Sequence, residues 1–283
     1  MKYLFDTITS PAYWRYVLLS RIGLQTVLSI FGGLWLFIES LDFFNIYTRD
    51  QYGSYAFFWV IAISTIVAII CRRPIRSIEV AFPEKDFCVE VRIGDIFETS
   101  GAVMVCTNTV FESDVAGGKI APASLQGQFT ARYFTGDQNS LINNIEEGLK
   151  ERKGPPYPMG TTVPVTTHGK AFYFVAMAEL NEQGTASTTP HAVEQAMNGL
   201  WEHVRESGEL QELVVPVIGT ARGRVKISRK KMIEKIAESF ANASIDGKFT
   251  DRLVIMVYPG DAKRFQVNLY DIKDHLTHTL GRR

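Results

Sequence analysis

The chain has 283 residues, 46% of them hydrophobic, and its 30 Lys and Arg residues balance its 30 Asp and Glu residues. A balanced charge gives no electrostatic reason to expect nucleic acid as a partner. Cys71, Cys88 and Cys106 lack metal-ligand spacing, and we expect no metal, cofactor or disulfide. Apolar residues are concentrated at 1–80, which predicts a membrane anchor there and one α/β domain at 81–283.

The first apolar segment extends from about residue 17 to residue 38 and is long enough to cross a hydrocarbon core of about 30 Å as a helix. Arg21 lies in its first turns, where the side chain can reach the lipid headgroups. The segment is too long for a signal peptide and lacks a small-residue cleavage site. A second segment, at about 55–71, carries no charge, which argues against a buried hairpin and predicts a second transmembrane helix.

Basic residues lie before the first segment and directly after the second, whereas the connecting loop contains only Arg49. The flanking residues are Lys2, Arg15, Arg21, Arg72, Arg73 and Arg76. Because cytoplasmic flanks carry an excess of Lys and Arg, we expect both termini on the cytoplasmic side of a bacterial inner membrane.

Strand and helix patterns alternate from residue 87 onward. The predicted strands are Phe87–Ile93, Ala102–Asn108, Ala171–Ala178, Leu213–Ile218 and Arg252–Tyr258. Helical patterns cover Leu141–Leu149, follow Thr188–Pro190 and Ser228, and extend from Phe265 to Leu276. Strands that alternate with helices predict a three-layer α/β/α domain with a mixed sheet.

A glycine-rich loop follows the fourth predicted strand and precedes the helix that Ser228 caps. Its residues are Gly219, Thr220, Ala221, Arg222 and Gly223. Glycines at the end of a buried strand let backbone amides approach a phosphate, and the next helix N-terminus adds positive potential. An ordinary tight turn explains the same glycines, and the residues alone leave both interpretations open.

Polar residues suited to a nucleotide follow two further strands. Asp95, with Ile96 behind it, can accept a hydrogen bond from an exocyclic amine such as that of adenine, and Asn108 can bind a ribose. Gly117 and Gly118 follow Asn108 along the chain. A helix N-cap for Asp95 and a turn for Asn108 are equally consistent with these positions.

The order VRIGDIF, AVMVCTN, a glycine pair and LVVPVIGTARG resembles the macro domain, an ADP-ribose-binding family, over about 87–276. The resemblance implies that Asp95 contacts the adenine and that Asn108 lies beside the distal ribose. It further implies that the loop 219–223 holds the diphosphate and that Tyr258 lies near the adenine or the proximal ribose.

The sequence departs from hydrolytic macro domains after Asn108. Thr109 stands where the NAAN motif of hydrolytic macro domains has its second Asn. The run of glycines that follows this motif in those proteins is short in this sequence. The resemblance therefore implies a ligand-binding domain without catalytic residues, with a membrane-tethered ADP-ribosyl hydrolase as the alternative. The long connection 112–134 predicts a pocket for a group beyond the distal ribose. Its polar candidates are Lys119, Gln126, Gln128 and Arg132.

A macro-like domain behind a membrane hairpin is similar to the transmembrane-plus-macro effectors of the Thoeris anti-phage defence. That resemblance implies a TIR-domain enzyme that makes an ADP-ribose messenger, histidine-ADP-ribose in this type, which the macro domain binds. It also implies a homo-oligomer, for instance a tetramer, that rearranges, disrupts the lipid bilayer and causes abortive infection. A passive membrane-localised ADP-ribose sensor is the other alternative.

Overall fold

A computed structural model describes residues 11–44, 46, 49–73, 75–82, 86–115, 117–181, 184–208, 210–218, 227–245 and 247–280. The chain divides into two compact units, Met1–Ile75 and Arg76–Arg283.

The two long helices of the N-terminal unit, α1 (Arg21–Phe43) and α2 (Arg49–Cys71), pack against each other, and a four-residue helical segment, Pro11–Trp14, precedes them. Ser20 caps α1 by accepting a hydrogen bond from the amide of Gly23 at 2.9 Å. Phe31 of α1 contacts Phe57 of α2 edge to face, with ring centroids 5.8 Å apart. The two helices therefore form a hairpin held by apolar side chains.

One stretch of α1, Gly23–Phe43, is long and apolar enough to cross a membrane. The predicted span started earlier, at about residue 17, but Arg15–Leu19 form a separate π-helical turn and the helix proper begins after Ser20. The apolar part of α2, Tyr55–Cys71, has 17 residues, fewer than the about 20 that a span usually needs. The second span therefore stays a prediction.

The second unit is built on an eight-stranded mixed sheet. Its strands are β1 (Ser77–Phe82), β2 (Phe87–Ile93), β3 (Ala102–Asn108), β4 (Thr162–Thr167), β5 (Lys170–Leu180), β6 (Ala186–Ser187), β7 (Leu210–Pro216) and β8 (Thr250–Val257). The order is β1-β2-β8-β7-β3-β5-β4, with β6 paired to β5. The five strands from β2 to β5 are parallel, whereas β1 and β4 are antiparallel to their neighbours.

Helices cover both faces of this sheet. They are α3 (Leu125–Tyr133), α4 (Gln138–Leu149), α5 (Pro190–Ser207), α6 (Arg229–Ala243), α7 (Pro259–Arg264) and α8 (Leu269–Leu280). α3 and α4 pack with a 3-10 turn, Ile96–Glu98, around the buried ring of Phe129 on one face. α5, α6 and α8 lie on the other face, where Trp201 contacts Phe240. The predicted α/β fold with a mixed sheet is confirmed.

Some elements were not predicted. The first of them, β1, alternates exposed and buried residues as a half-covered edge strand does, and it is short. β4 and α3 were also missed. The predicted last helix, Phe265–Leu276, corresponds to α8 but starts too early, because Gln266 has a left-handed backbone (φ 48°) and α8 begins at Leu269. α7, which ends at Arg264, was not predicted.

Candidate ligand-binding site

The two central strands separate toward their carboxyl ends. β3 pairs with β7 only at Ala102 and Val103, whereas β3 follows β5 as far as Asn108 and β7 follows β8 as far as Pro216. An opening between parallel strands at their carboxyl ends is where ligands bind in open α/β sheets. The segments that follow β2, β3, β7 and β8 all emerge at this edge.

Asp95 follows β2 and begins the 3-10 turn Ile96–Glu98. Its Oδ1 accepts a hydrogen bond from the amide of Phe97 at 3.0 Å, so Asp95 is the N-cap of the turn. As the first residue of the turn, Ile96 has an N–H that the turn does not use. A carboxylate acceptor and a backbone donor therefore stand side by side at the end of β2.

Arg132 of α3 lies against this turn. Its Nη2 is 2.6 Å from Asp95 Oδ2, and its guanidinium carbon lies 4.7 Å from the centre of the Phe97 ring. Arg132 was predicted to contact a group beyond the distal ribose, but the structure places it beside Asp95. Both Asp95 oxygens thus have partners within the protein.

Lys170, at the start of β5, forms hydrogen bonds to Phe97 and Thr99 in and directly after the same turn. Its Nζ donates to the backbone oxygen of Phe97 and the hydroxyl of Thr99, both at 3.2 Å, and to the backbone oxygen of Thr99. Burial lowers the pKa of this ammonium group, and the charges of Glu212 and Asp95 partly oppose that shift. Sequence reasoning missed Lys170, since a lysine before an apolar strand carries no signal of a contact 71 positions away.

Asn108 closes the turn that follows β3. Its Oδ1 accepts hydrogen bonds from the amides of Val110 and Glu112, each at 3.1 Å, and the residue is only 5% exposed. With Oδ1 used in this way, the Nδ2 amide is the part of the side chain that can donate to a ligand. The preceding residue, Thr107, has a buried hydroxyl oxygen without a hydrogen-bond partner among the described residues.

Glu112 organises the loop after Asn108. Its carboxylate accepts hydrogen bonds from the amides of Ser113 and Asp114 and from Lys119 Nζ at 3.0 Å. Burial opposes the charged form, but these hydrogen bonds outweigh it and the pKa of Glu112 is lowered. Gln126 of α3 donates to the backbone oxygen of Glu112 at 2.7 Å. Lys119 and Gln126, both predicted as ligand candidates, therefore hold the loop itself.

Gly117 and Gly118 form an exposed turn in the same loop. The amide of Gly117 donates to Asp114 Oδ1 at 2.6 Å, and a Cβ on Gly117 would come within 2.1 Å of Asp114 Oδ2. Gly118 has a left-handed backbone, φ 78°, which favours glycine. Gly118 thus favours glycine because of its backbone conformation, and a side chain at Gly117 would require the Asp114 carboxylate to move.

The predicted diphosphate loop lies beyond the described residues. Gly219, Thr220, Ala221, Arg222 and Gly223 belong to residues 219–226, which stay a prediction. On one side of this range lies buried Ile218, which follows β7. On the other side, the Ser228 hydroxyl accepts a hydrogen bond from the Lys231 amide at 3.2 Å and caps α6. The N-terminus of α6 therefore stands next to the end of this loop.

Tyr258 follows β8 directly and is 65% exposed. Its backbone oxygen accepts a hydrogen bond from the amide of Ala262 in α7 at 2.9 Å. The structure therefore places Tyr258 at the carboxyl edge of the sheet with its ring accessible.

A cavity of about 320 Å³ lies elsewhere, between α5 and α6. It is lined by Val193, Met197, Met232 and Ile236, among others, and by none of the predicted ligand residues that the structure describes. Within the described part of the chain, no three His, Cys, Asp or Glu residues are grouped so that they could hold a metal ion.

Comparison with known protein families shows to which family the chain belongs. The family described as "Thoeris protein ThsA, Macro domain" matches residues 89–258. The chain belongs to this family. The match spans β2 to Tyr258 and so includes every predicted ligand residue. No curated protein shows significant sequence similarity to the chain.

Solved structures show the same fold for this ThsA-family macro domain. The Oceanobacillus iheyensis macrodomain with MES bound has 12% identity and a TM-score of 0.50, covering 71% of this chain and 98% of its own. The same macrodomain with ADP gives 11% and 0.51, with coverage of 71% and 98%. A mutant of it with ADPR gives 9% and 0.51, with coverage of 72% and 100%. At these identities the likeness shows the fold alone.

Proposed function

We propose that the macro domain binds an ADP-ribose-type ligand in the opening between β3 and β7. The observation that carries this proposal is the strand separation after Val103, with polar residues of the family motifs at the edge of the opening. Membership of the ThsA macro domain family supports the ligand class.

The adenine would bind at the end of β2. Its N6 amine donates hydrogen bonds and its N1 accepts them, and the Asp95 carboxylate beside the Ile96 N–H offers the complementary pair. Tyr258, accessible after β8, supplies an aromatic face for the base or the proximal ribose. This arrangement selects a base that has an amine next to an acceptor nitrogen.

The diphosphate and the distal ribose would follow along the opening. The loop 219–223 would approach the phosphates through its backbone amides, and the N-terminus of α6 adds positive potential. Asn108 Nδ2 would donate to the distal ribose, near the turn of Gly117 and Gly118. A group attached beyond that ribose would meet the loop that Glu112 and Lys119 hold.

We further propose that the ligand is a messenger, histidine-ADP-ribose, made by a TIR-domain partner, and that the chain is a Thoeris effector. A second span at 55–71 would give a multi-pass inner-membrane protein with both termini in the cytoplasm. Two helices cannot enclose an aqueous path alone, so membrane disruption and abortive infection would require a homo-oligomer. A ligand preference of about 10⁴-fold for the active assembly would turn a 1:99 equilibrium into 99:1.

We propose that the protein binds its ligand without hydrolysing it and needs no cofactor. Thr109, in place of the second Asn of hydrolytic macro domains, has its backbone amide and oxygen engaged with Ala178 and Tyr157. Burial raises the pKa of the nearby Cys106 thiol to about 12, so at neutral pH this group is not a nucleophile. Incubation with an ADP-ribosylated protein distinguishes the hydrolase alternative, because only that alternative predicts released ADP-ribose.

Dye leakage from vesicles tests the effector role. The full chain, reconstituted into liposomes of bacterial phospholipids, should release dye after addition of histidine-ADP-ribose and not after addition of buffer. The matched control is Asp95→Asn, which should insert equally well and release dye only at about 10- to 150-fold higher ligand concentration. Ligand binding without leakage by the wild-type chain would favour the passive sensor that acts through a partner.

A further inference from the structure

The Asp95 carboxylate is shared between a backbone donor and a side-chain donor. Oδ1 accepts from the amide of Phe97, and Oδ2 accepts from Arg132 Nη2 at 2.6 Å. Because Oδ1 is turned toward the backbone of the 3-10 turn, a ligand amine would approach Oδ2. The ligand amine and Arg132 would therefore both donate to Asp95 Oδ2.

Of the two groups that donate to Asp95, Arg132 is the one that a ligand can displace. The Phe97 amide belongs to the backbone of a turn whose side chains Ile96 and Phe97 are buried, whereas the Arg132 side chain is 41% exposed. The guanidinium is kept at the carboxylate by its contact with the Phe97 ring, 4.7 Å away. A partly exposed ion pair and a cation–π contact are each weak, so a ligand can displace them.

We propose that Arg132 competes with the amine of the base for Asp95 Oδ2 and thereby lowers the preference of the site for a base that carries this amine. The proposal rests on the proposed ADP-ribose site. The competition lowers the affinity for every adenine nucleotide by a similar factor, about three- to tenfold. Because this factor is common to all ligands that carry the amine, their relative affinities stay the same. The competition instead narrows the difference in affinity between adenine and a base without the amine.

Replacement of Arg132 tests this competition. Arg132→Met removes the charge and keeps an apolar chain over the Phe97 ring, whereas Arg132→Lys retains a cation that can still pair with Asp95. The full chain in lipid nanodiscs is titrated calorimetrically with ADP-ribose and with inosine diphosphate ribose, whose base has a 6-oxo group instead of the amine. The ratio of the two affinities cancels any general effect of the lost charge on an anionic ligand.

In Arg132→Met the ratio of affinities, ADP-ribose over the 6-oxo analogue, should rise about three- to tenfold. Arg132→Lys should leave this ratio near that of the wild type, and Arg132→Ala should agree with Arg132→Met. An unchanged or lowered ratio in both neutral variants overturns the competition. A wild-type chain that binds neither ligand contradicts the proposed function instead, so the two failures are distinguishable.

Discussion

Asp95→Asn is the substitution that separates recognition of the base from stability of the fold. An asparagine at this position still accepts the amide of Phe97 through Oδ1, because Asn is as good an N-cap as Asp. Its Nδ2 then occupies the place of Oδ2, where a donor would face the donating amine of the base. We therefore expect the turn to survive and the hydrogen bond to the ligand to be lost.

The two effects differ in size. Loss of the partly exposed pair with Arg132 should lower the free energy of unfolding by about 0.2–1 kcal/mol. Loss of a hydrogen bond from the base to a charged carboxylate should weaken binding by about 1.5–3 kcal/mol, or roughly 10- to 150-fold. Urea unfolding measures the first quantity, and calorimetric titration with ADP-ribose measures the second.

Asp86→Asn is the matched control. Asp86 precedes β2, at the opposite end of the strand from Asp95, and its exposed carboxylate pairs with Lys248 at 2.9 Å. This substitution should leave the affinity for ADP-ribose unchanged. If Asp95→Asn bound ADP-ribose as tightly as the control, the carboxylate would not contact the base and the proposed orientation of the ligand would be wrong.

Three further predictions concern stability and loop shape. Glu90→Gln should lower the free energy of unfolding by about 1–3 kcal/mol at pH 7, as measured by urea unfolding. Burial opposes the charged form of Glu90, but hydrogen bonds from Arg92 and Arg252 outweigh it and lower the pKa of the carboxyl group. The difference in stability between the variant and the wild type should therefore fade below about pH 4.5. A fragment starting at residue 83 lacks β1 and should be about 5 kcal/mol less stable than one starting at Arg76. Gly117→Ala should weaken binding of ADP-ribose in titration while the melting temperature changes little, because the turn is exposed.

The strong elements of the fold were predictable because their patterns are local. β2 and β3 have the predicted bounds, since each is a short apolar run with a turn at its end. Ser228 caps its helix as predicted. β1 was missed because its alternation is brief and follows directly on a basic segment, and its pairing with β2 depends on residues outside the pattern.

At the candidate site, the sequence predicted which residues are present but not which contacts their side chains make. The sequence left open whether Asp95 caps a helix or binds a ligand, and the structure shows that the cap uses only one carboxylate oxygen. The same holds for Asn108, whose turn uses Oδ1 and not Nδ2. Neither the contact of Arg132 with Asp95, 37 positions apart, nor that of Lys170 with Thr99 has any signature in local sequence. Such contacts follow from the path of the chain over the sheet.

Calorimetric titration of the full chain in lipid nanodiscs with ADP-ribose and with histidine-ADP-ribose tests the central claim most directly. The account predicts that both ligands bind and that the conjugate binds more tightly, because its terminal group reaches the loop held by Glu112 and Lys119. If neither ligand bound, the macro domain would not be the messenger receptor and the proposed function would be wrong.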